Sequence, residues 1–114
     1  TKTREKMVAF EQERIDYGAV SLEERRARRG HYFRFWWRTD RPADLTVRLE
    51  YRQANLGNYV QAREIDLSVP RGTHKSEFEI IGDDYEKEGR VTSWRAILIE
   101  NGRIVALTQS ALWH

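Results

Sequence analysis

The chain has 114 residues, enough for one hydrophobic core and too few for two. It carries no cysteine, which excludes a disulfide scaffold, thiolate zinc and a cysteine nucleophile, and no run approaches the ~18 apolar residues of a membrane span. The formal charge of +2 conceals an asymmetry: residues 25–52 hold nine arginines against Asp40, Asp44 and Glu50, a formal +6, so the remainder carries −4.

The first thirty residues read two ways. Residues 7–15 fit a strand or a helix. Ser21-Leu22-Glu23-Glu24 matches a capping box, in which the Ser hydroxyl bonds the N3 amide and Glu24 reaches back. The run to Arg29 is rich in helix formers, and Gly30 suits the position after a helix C-terminus. Leu22 and Ala27 share no helical face, however, so strand and short helix both stay open for 21–29. We take 1–30 as a segment packed on a sandwich of residues 31–114, the whole forming a single domain.

From residue 31 the hydrophobic period is close to two. Phe33, Phe35 and Trp37 alternate with Tyr32, Arg34, Trp36 and Arg38. Leu45, Val47, Leu49 and Tyr51 alternate with Thr46, Arg48, Glu50 and Arg52. Each run predicts a strand with one apolar face and one Arg-bearing face. Residues 40–44, with Pro42, form the turn between them. Residues 59–68 predict a more polar strand suited to a sheet edge, ended by Val69-Pro70-Arg71-Gly72. Residues 75–81 predict a strand with Phe78 and Ile80 on one face, and 82–89 an acidic loop. Residues 90–100 and 103–113 predict two long strands joined by Asn101-Gly102. Asn-Gly suits a type I′ hairpin turn, which needs φ > 0 at both central residues.

This succession of strands resembles a fibronectin type III or immunoglobulin-like β-sandwich. Phe35-Trp36-Trp37 is similar to that fold's strand B with its core Trp, and Leu49-Glu50-Tyr51-Arg52 closes a run similar to strand C. Residues 76–81 resemble strand E, 89–98 strand F and 106–112 strand G. The resemblance covers roughly 80 of the 114 residues and implies an all-β antiparallel sandwich of seven or eight strands, with a short N-terminal helix left open. Three features depart from it. Val91 stands where the family usually places a Tyr, the 83–88 loop is longer and more acidic, and the immunoglobulin Cys pair is absent. An up-and-down barrel is the alternative fold. Neither architecture specifies a function.

No catalytic constellation is visible. His31, His74 and His114 lie 43 and 40 residues apart, with no nucleophile elbow around Ser21, Ser68, Ser76, Ser93 or Ser110. None has a metal-ligand partner at i+2 or i+4. Asp83, Asp84, Glu86 and Glu88 offer hard oxygens for calcium, but their spacing is not that of an EF-hand, and Lys87 and Arg90 intrude. The expectation is no enzyme, no cofactor and no metal, with Tyr85 folding back to cap the sandwich.

The aromatic residues carry more. Trp36 and Trp37 are adjacent, so one must face outward if both lie in one strand. With Phe33, Phe35 and Trp37 inward, the outer face holds Tyr32, Arg34, Trp36 and Arg38. Arg48 and Arg52 join them if both strands turn their apolar faces the same way. These six are the candidate binding residues, since guanidinium forks and aromatic faces together suit glycans, anions or protein hot spots. Two structural roles compete. The arginines can pair across strands with Glu11, Glu13, Glu77 and Glu79, and Trp36 can be covered by Met7, Val8 or Phe10. The last two strands are apolar on both faces, with Trp94, Ala96 and Leu98 opposed to Ile97 and Ile99. On their partner, Val105, Leu107, Ala111 and Trp113 oppose Ile104, Ala106 and Leu112. Such a sheet is covered on both faces or exposes a patch.

The expected role is a non-enzymatic interaction or structural module that binds a protein or anionic surface through an aromatic/Arg sheet face. Strand addition to the 59–68 edge is a second route. A carbohydrate-binding accessory module is the alternative, and self-association is open. Nucleic acid ranks third, because lysine is scarce and no recognition motif is present. The chain opens on Thr1 rather than Met, which we read as processing, and the expected location is exported, periplasmic or at the cell surface.

Overall fold

Period-two patterning becomes strand over most of residues 30–109. The computed structural model describes residues 8–12 and 30–114. Seven strands lie among them: β1 (Val8–Gln12), β2 (Gly30–Thr39), β3 (Ala43–Gln53), β4 (Gln61–Val69), β5 (Gly72–Ile81), β6 (Val91–Glu100) and β7 (Arg103–Gln109). A 3-10 turn spans Ala54–Leu56, and a short helix, α1 (Asp83–Glu88), links β5 to β6. The strands form two antiparallel sheets, ordered β1-β2-β5 and β4-β3-β6-β7. This all-β sandwich is compatible with the immunoglobulin-like and fibronectin-like class. Two separate sheets exclude the single closed sheet of an up-and-down barrel.

The core lies between the inner faces. β2 and β5 send in Phe33, Phe35, Trp37, Phe78 and Ile80, and β3 and β6 send in Leu45, Val47, Leu49, Trp94, Ala96 and Leu98. Trp94 reaches across to Phe33 and Phe35, with ring centroids 5.9 and 5.6 Å away. Trp37, Ser76 and Gln53, polar groups buried in the sandwich, are hydrogen-bonded as a dry interior requires. The Trp37 indole donates to the Ser76 hydroxyl at 3.0 Å. The Gln53 amide donates to the carbonyls of Asp84 and Gly89 at 3.1 and 2.7 Å, fastening α1 to the sandwich.

Several expectations change. Residues 82–89 are not simply a loop, since Asp83–Glu88 is helical, with acidic residues in the first turn and Lys87 in the last, as the helix dipole favours. The last strand stops at Gln109 rather than 113. There the Ser110 amide donates to the Trp94 carbonyl, the Trp94 amide donates to the Ser110 hydroxyl, and a turn follows. The hairpin at Asn101-Gly102 is present, with φ of 54° and 75°. The 59–68 segment supplies β4, an edge strand. Residues 8–12 are strand rather than helix, whereas the capping box at 21–24 and the helix-or-strand question for 21–29 lie outside the described residues.

Candidate functional site

The two-sheet division decides which predicted site residues meet. Tyr32, Arg34, Trp36 and Arg38 lie on β2, and Arg48 and Arg52 lie on β3, in the other sheet. Both strands turn their apolar residues to the common core. Their Arg-bearing faces therefore point to opposite sides of the molecule. The single six-residue platform expected from the sequence does not form. The link at residues 40–42 crosses between sheets instead of making a hairpin within one.

On the three-stranded sheet, β2 pairs with β5 so that Tyr32 faces Glu79, Arg34 faces Glu77 and Trp36 faces Lys75. Arg34 Nε donates to Glu77 at 2.7 Å, and Lys75 lies 3.6 Å from the same carboxylate. Tyr32 is buried, Trp36 half-buried and Arg38 exposed. Phe10 does not cover Trp36: it packs edge-on against Phe35 in the core, 5.9 Å between centroids.

On the four-stranded sheet, Thr46, Arg48, Glu50 and Arg52 of β3 share the outer face with Ser93, Arg95, Ile97 and Ile99 of β6. Glu50 is the hub. It accepts from Arg48 Nε at 2.8 Å and from Arg95 Nε and Nη2 at 3.0 and 2.5 Å. Arg48 also reaches Glu64 at 2.6 Å. Burial alone would push the Glu50 carboxyl up, but the hydrogen bonds and charges of Arg48 and Arg95 outweigh it and hold the group below the ordinary carboxylate range. The C-terminal turn lays Trp113 on this face. Arg52 sits 4.4 Å from the ring centroid and Arg95 5.2 Å, within cation–π range. Arg52 further donates to the Ser93 hydroxyl and the His114 carbonyl.

Beyond this cluster the face turns apolar. A bulge in the β6–β7 pairing sets Ile104 opposite Ile99 and Leu107 opposite Ile97. Strict alternation would put Ile104 and Leu107 on opposite faces, and the extra residue, Val105, brings them to one. Ile104 is 54% exposed and Leu107 47%. The strip Ile97, Ile99, Ile104 and Leu107 therefore lies along the β7 side, and Asp44, Glu64 and Asp66 along the β4 side.

The remaining candidates occupy structural positions. His74 packs against Trp37, 4.6 Å between centroids with the rings tilted by 50°, and shares a 3.2 Å hydrogen bond with the Thr39 hydroxyl. His31 lies 5.8 Å from the Tyr85 ring, which closes that end of the sandwich, and burial, then the Arg90 charge, lowers its pKa. Among the described residues no group of three or more His, Asp or Glu could hold a metal, and no helix is long and apolar enough to cross a membrane.

Sequence reasoning missed Glu50 as a hub and Trp113 as a stacking partner. Glu50 had a signal, since it stands between Arg48 and Arg52 at i±2 on one strand face. Trp113 had none, because its placement depends on the chain leaving β7 at Ser110. Compared with known protein families, curated proteins and solved structures, the chain matches none.

Proposed function

We propose that this domain is a non-enzymatic protein-interaction module that works through the outer face of β6 and β7. The observation that carries the reading is the exposed pair Ile104 and Leu107, which flanks the half-buried Ile99 and the buried Ile97. An apolar centre with a polar, charged rim is the anatomy of a protein interface, and Trp and Arg are the residues enriched at its hot spots. The charge on this face favours a protein over an anionic surface. Arg48, Arg52 and Arg95 stand beside four carboxylates, Asp44, Glu50, Glu64 and Asp66, so the face has no net attraction for anions. The carbohydrate-binding reading has less support, because a sugar stacking on Trp113 competes with the Arg52 guanidinium. The finer fold reading is that of a fibronectin type III-like domain, and two antiparallel sheets ordered β1-β2-β5 and β4-β3-β6-β7 support it.

The test is photo-crosslinking in cells. A photoreactive residue replacing Leu107 should yield a discrete protein adduct, as should one replacing Gln109. The same residue replacing Lys75, on the opposite sheet, should not. Identical adduct patterns at Leu107 and Lys75, or no adduct at Leu107, overturn the reading.

A further inference from the structure

The geometry points to the free edge of β4 as a docking site for an extended cationic peptide, which adds to the four-stranded sheet as a further strand. β4 is terminal in its sheet, and no hydrogen bond from a described residue reaches its outward backbone groups. The other edges are occupied differently. β1 lies beside β7, and on the β5 edge Arg63 donates to the Glu79 carbonyl at 2.6 Å. Along these nine residues every second one turns its backbone N–H and C=O away from β3, and that outward row forms a template for another strand.

There is room for one. A cleft of about 540 Å³ opens between β4 and β5, lined by Ile65, Phe78 and Ile81 and by five charged residues, four of them carboxylates and the fifth Arg63, which is held by Glu79 and Asp84. Side chains on the inner face of an added strand would enter over Ile65 and Leu67, which are only half-buried. Tyr59 and Val60, 65% and 39% exposed, extend the apolar contact just before β4.

Charge selects the occupant. The outward residues of β4 are Ala62, Glu64, Asp66 and Ser68. If two copies paired antiparallel through this edge, every central register would set Glu64 opposite Glu64 or Asp66, or Asp66 opposite Asp66. Like charges directly opposed destabilise a ladder, so the edge rejects a second copy. Asp66 accepts only the Thr46 hydroxyl, at 2.7 Å, and has no ion pair among the described residues. Glu64 keeps one ion partner, Arg48, and remains half exposed. Lys or Arg at alternate positions of an added strand would meet both carboxylates. The occupant is thus an extended segment with basic residues outward and β-branched apolar residues toward the cleft. This inference is independent of the β6–β7 surface, from which β4 is separated by β3, a span on the order of 14 Å from β4 to β7.

A ten-residue peptide of alternating Lys and Val is the probe, with the Glu/Val peptide as its charge-reversed control. Titrated into the 15N-labelled domain, the Lys/Val peptide should shift amides of residues 61–69 and slow their exchange. The Glu/Val peptide should bind at least tenfold more weakly. N-methylation at alternate peptide positions should abolish binding, because a ladder needs the amide hydrogens. The double variant Glu64→Lys/Asp66→Lys should reverse the preference. Equal binding of both peptides, unaffected binding after N-methylation, or shifts centred on β6 and β7 would overturn the proposal. The last result would also leave the β6–β7 reading standing by itself.

Discussion

Replacing Glu50 with glutamine keeps the shape of the hub and removes its charge. Three hydrogen bonds from two guanidiniums converge on this carboxylate, whose side chain is only 13% exposed. Exposed ion pairs contribute about 0–1 kcal/mol, whereas breaking a buried one costs about 3–5 kcal/mol. Glu50 falls between these limits. Its carboxylate is well covered, but Arg48 and Arg95 are each about one-third exposed, and Arg48 retains Glu64. We expect Glu50→Gln to cost about 2 kcal/mol at pH 7, or roughly 8 °C in Tm for a domain of this size. The pH dependence follows from the lowered carboxyl pKa of the folded state. A depressed folded pKa gives stability that is complete above the unfolded value of about 4.3 and is lost as pH falls through the folded value. The gap between wild type and variant should therefore be widest near neutrality and narrow below about pH 4. Thermal unfolding followed by near-UV circular dichroism from pH 7 to pH 3 measures both quantities. A gap under about 0.5 kcal/mol at pH 7, or one undiminished at pH 3, would refute the placement of Glu50 at the centre of the network.

Two further substitutions test the sandwich itself. Gly30 has φ of +153°, and a Cβ there would lie 2.1 Å from the Ile80 carbonyl oxygen, so Gly30→Ala should force β2 from β5. The expected cost exceeds about 3 kcal/mol in urea unfolding, and a variant within about 0.5 kcal/mol of wild type would disprove that close approach. Trp37→Phe leaves the buried Ser76 hydroxyl without its indole donor and should cost about 1–3 kcal/mol. Adding Ser76→Ala in that background should recover about 1 kcal/mol, and no recovery would show that lost packing alone explains the first effect.

Local patterning was legible where local chemistry was decisive. The inward triplet Phe33, Phe35 and Trp37 follows from the two-residue period of a strand. The Asn101-Gly102 turn follows from the positive φ that type I′ geometry requires. The helix α1 was missed because six residues carry few periodic signals, and its hold on the sandwich comes from Gln53, thirty residues upstream of Asp83. The bulge near Leu98 and Ile99 left no mark in β7, so alternation assigned Ile104 and Leu107 to opposite faces.

By itself the sequence determined the absence of a disulfide framework, the strands from residue 31 onward, and the polar edge at β4. Those properties rest on composition and on side-chain alternation, which acts within a few residues. Tertiary structure alone decided that β2 and β3 belong to different sheets. Alternation states which residues share a face of one strand, and is silent on which strands share a sheet. The arginine excess over residues 25–52 is thereby divided. Arg34 pairs with Glu77 on one side of the sandwich, and Arg48 with Glu50 and Glu64 on the other. Glu50 is local, two residues from Arg48 on the same strand, whereas Glu64 and Glu77 come from segments distant in sequence, brought alongside by strand pairing within each sheet.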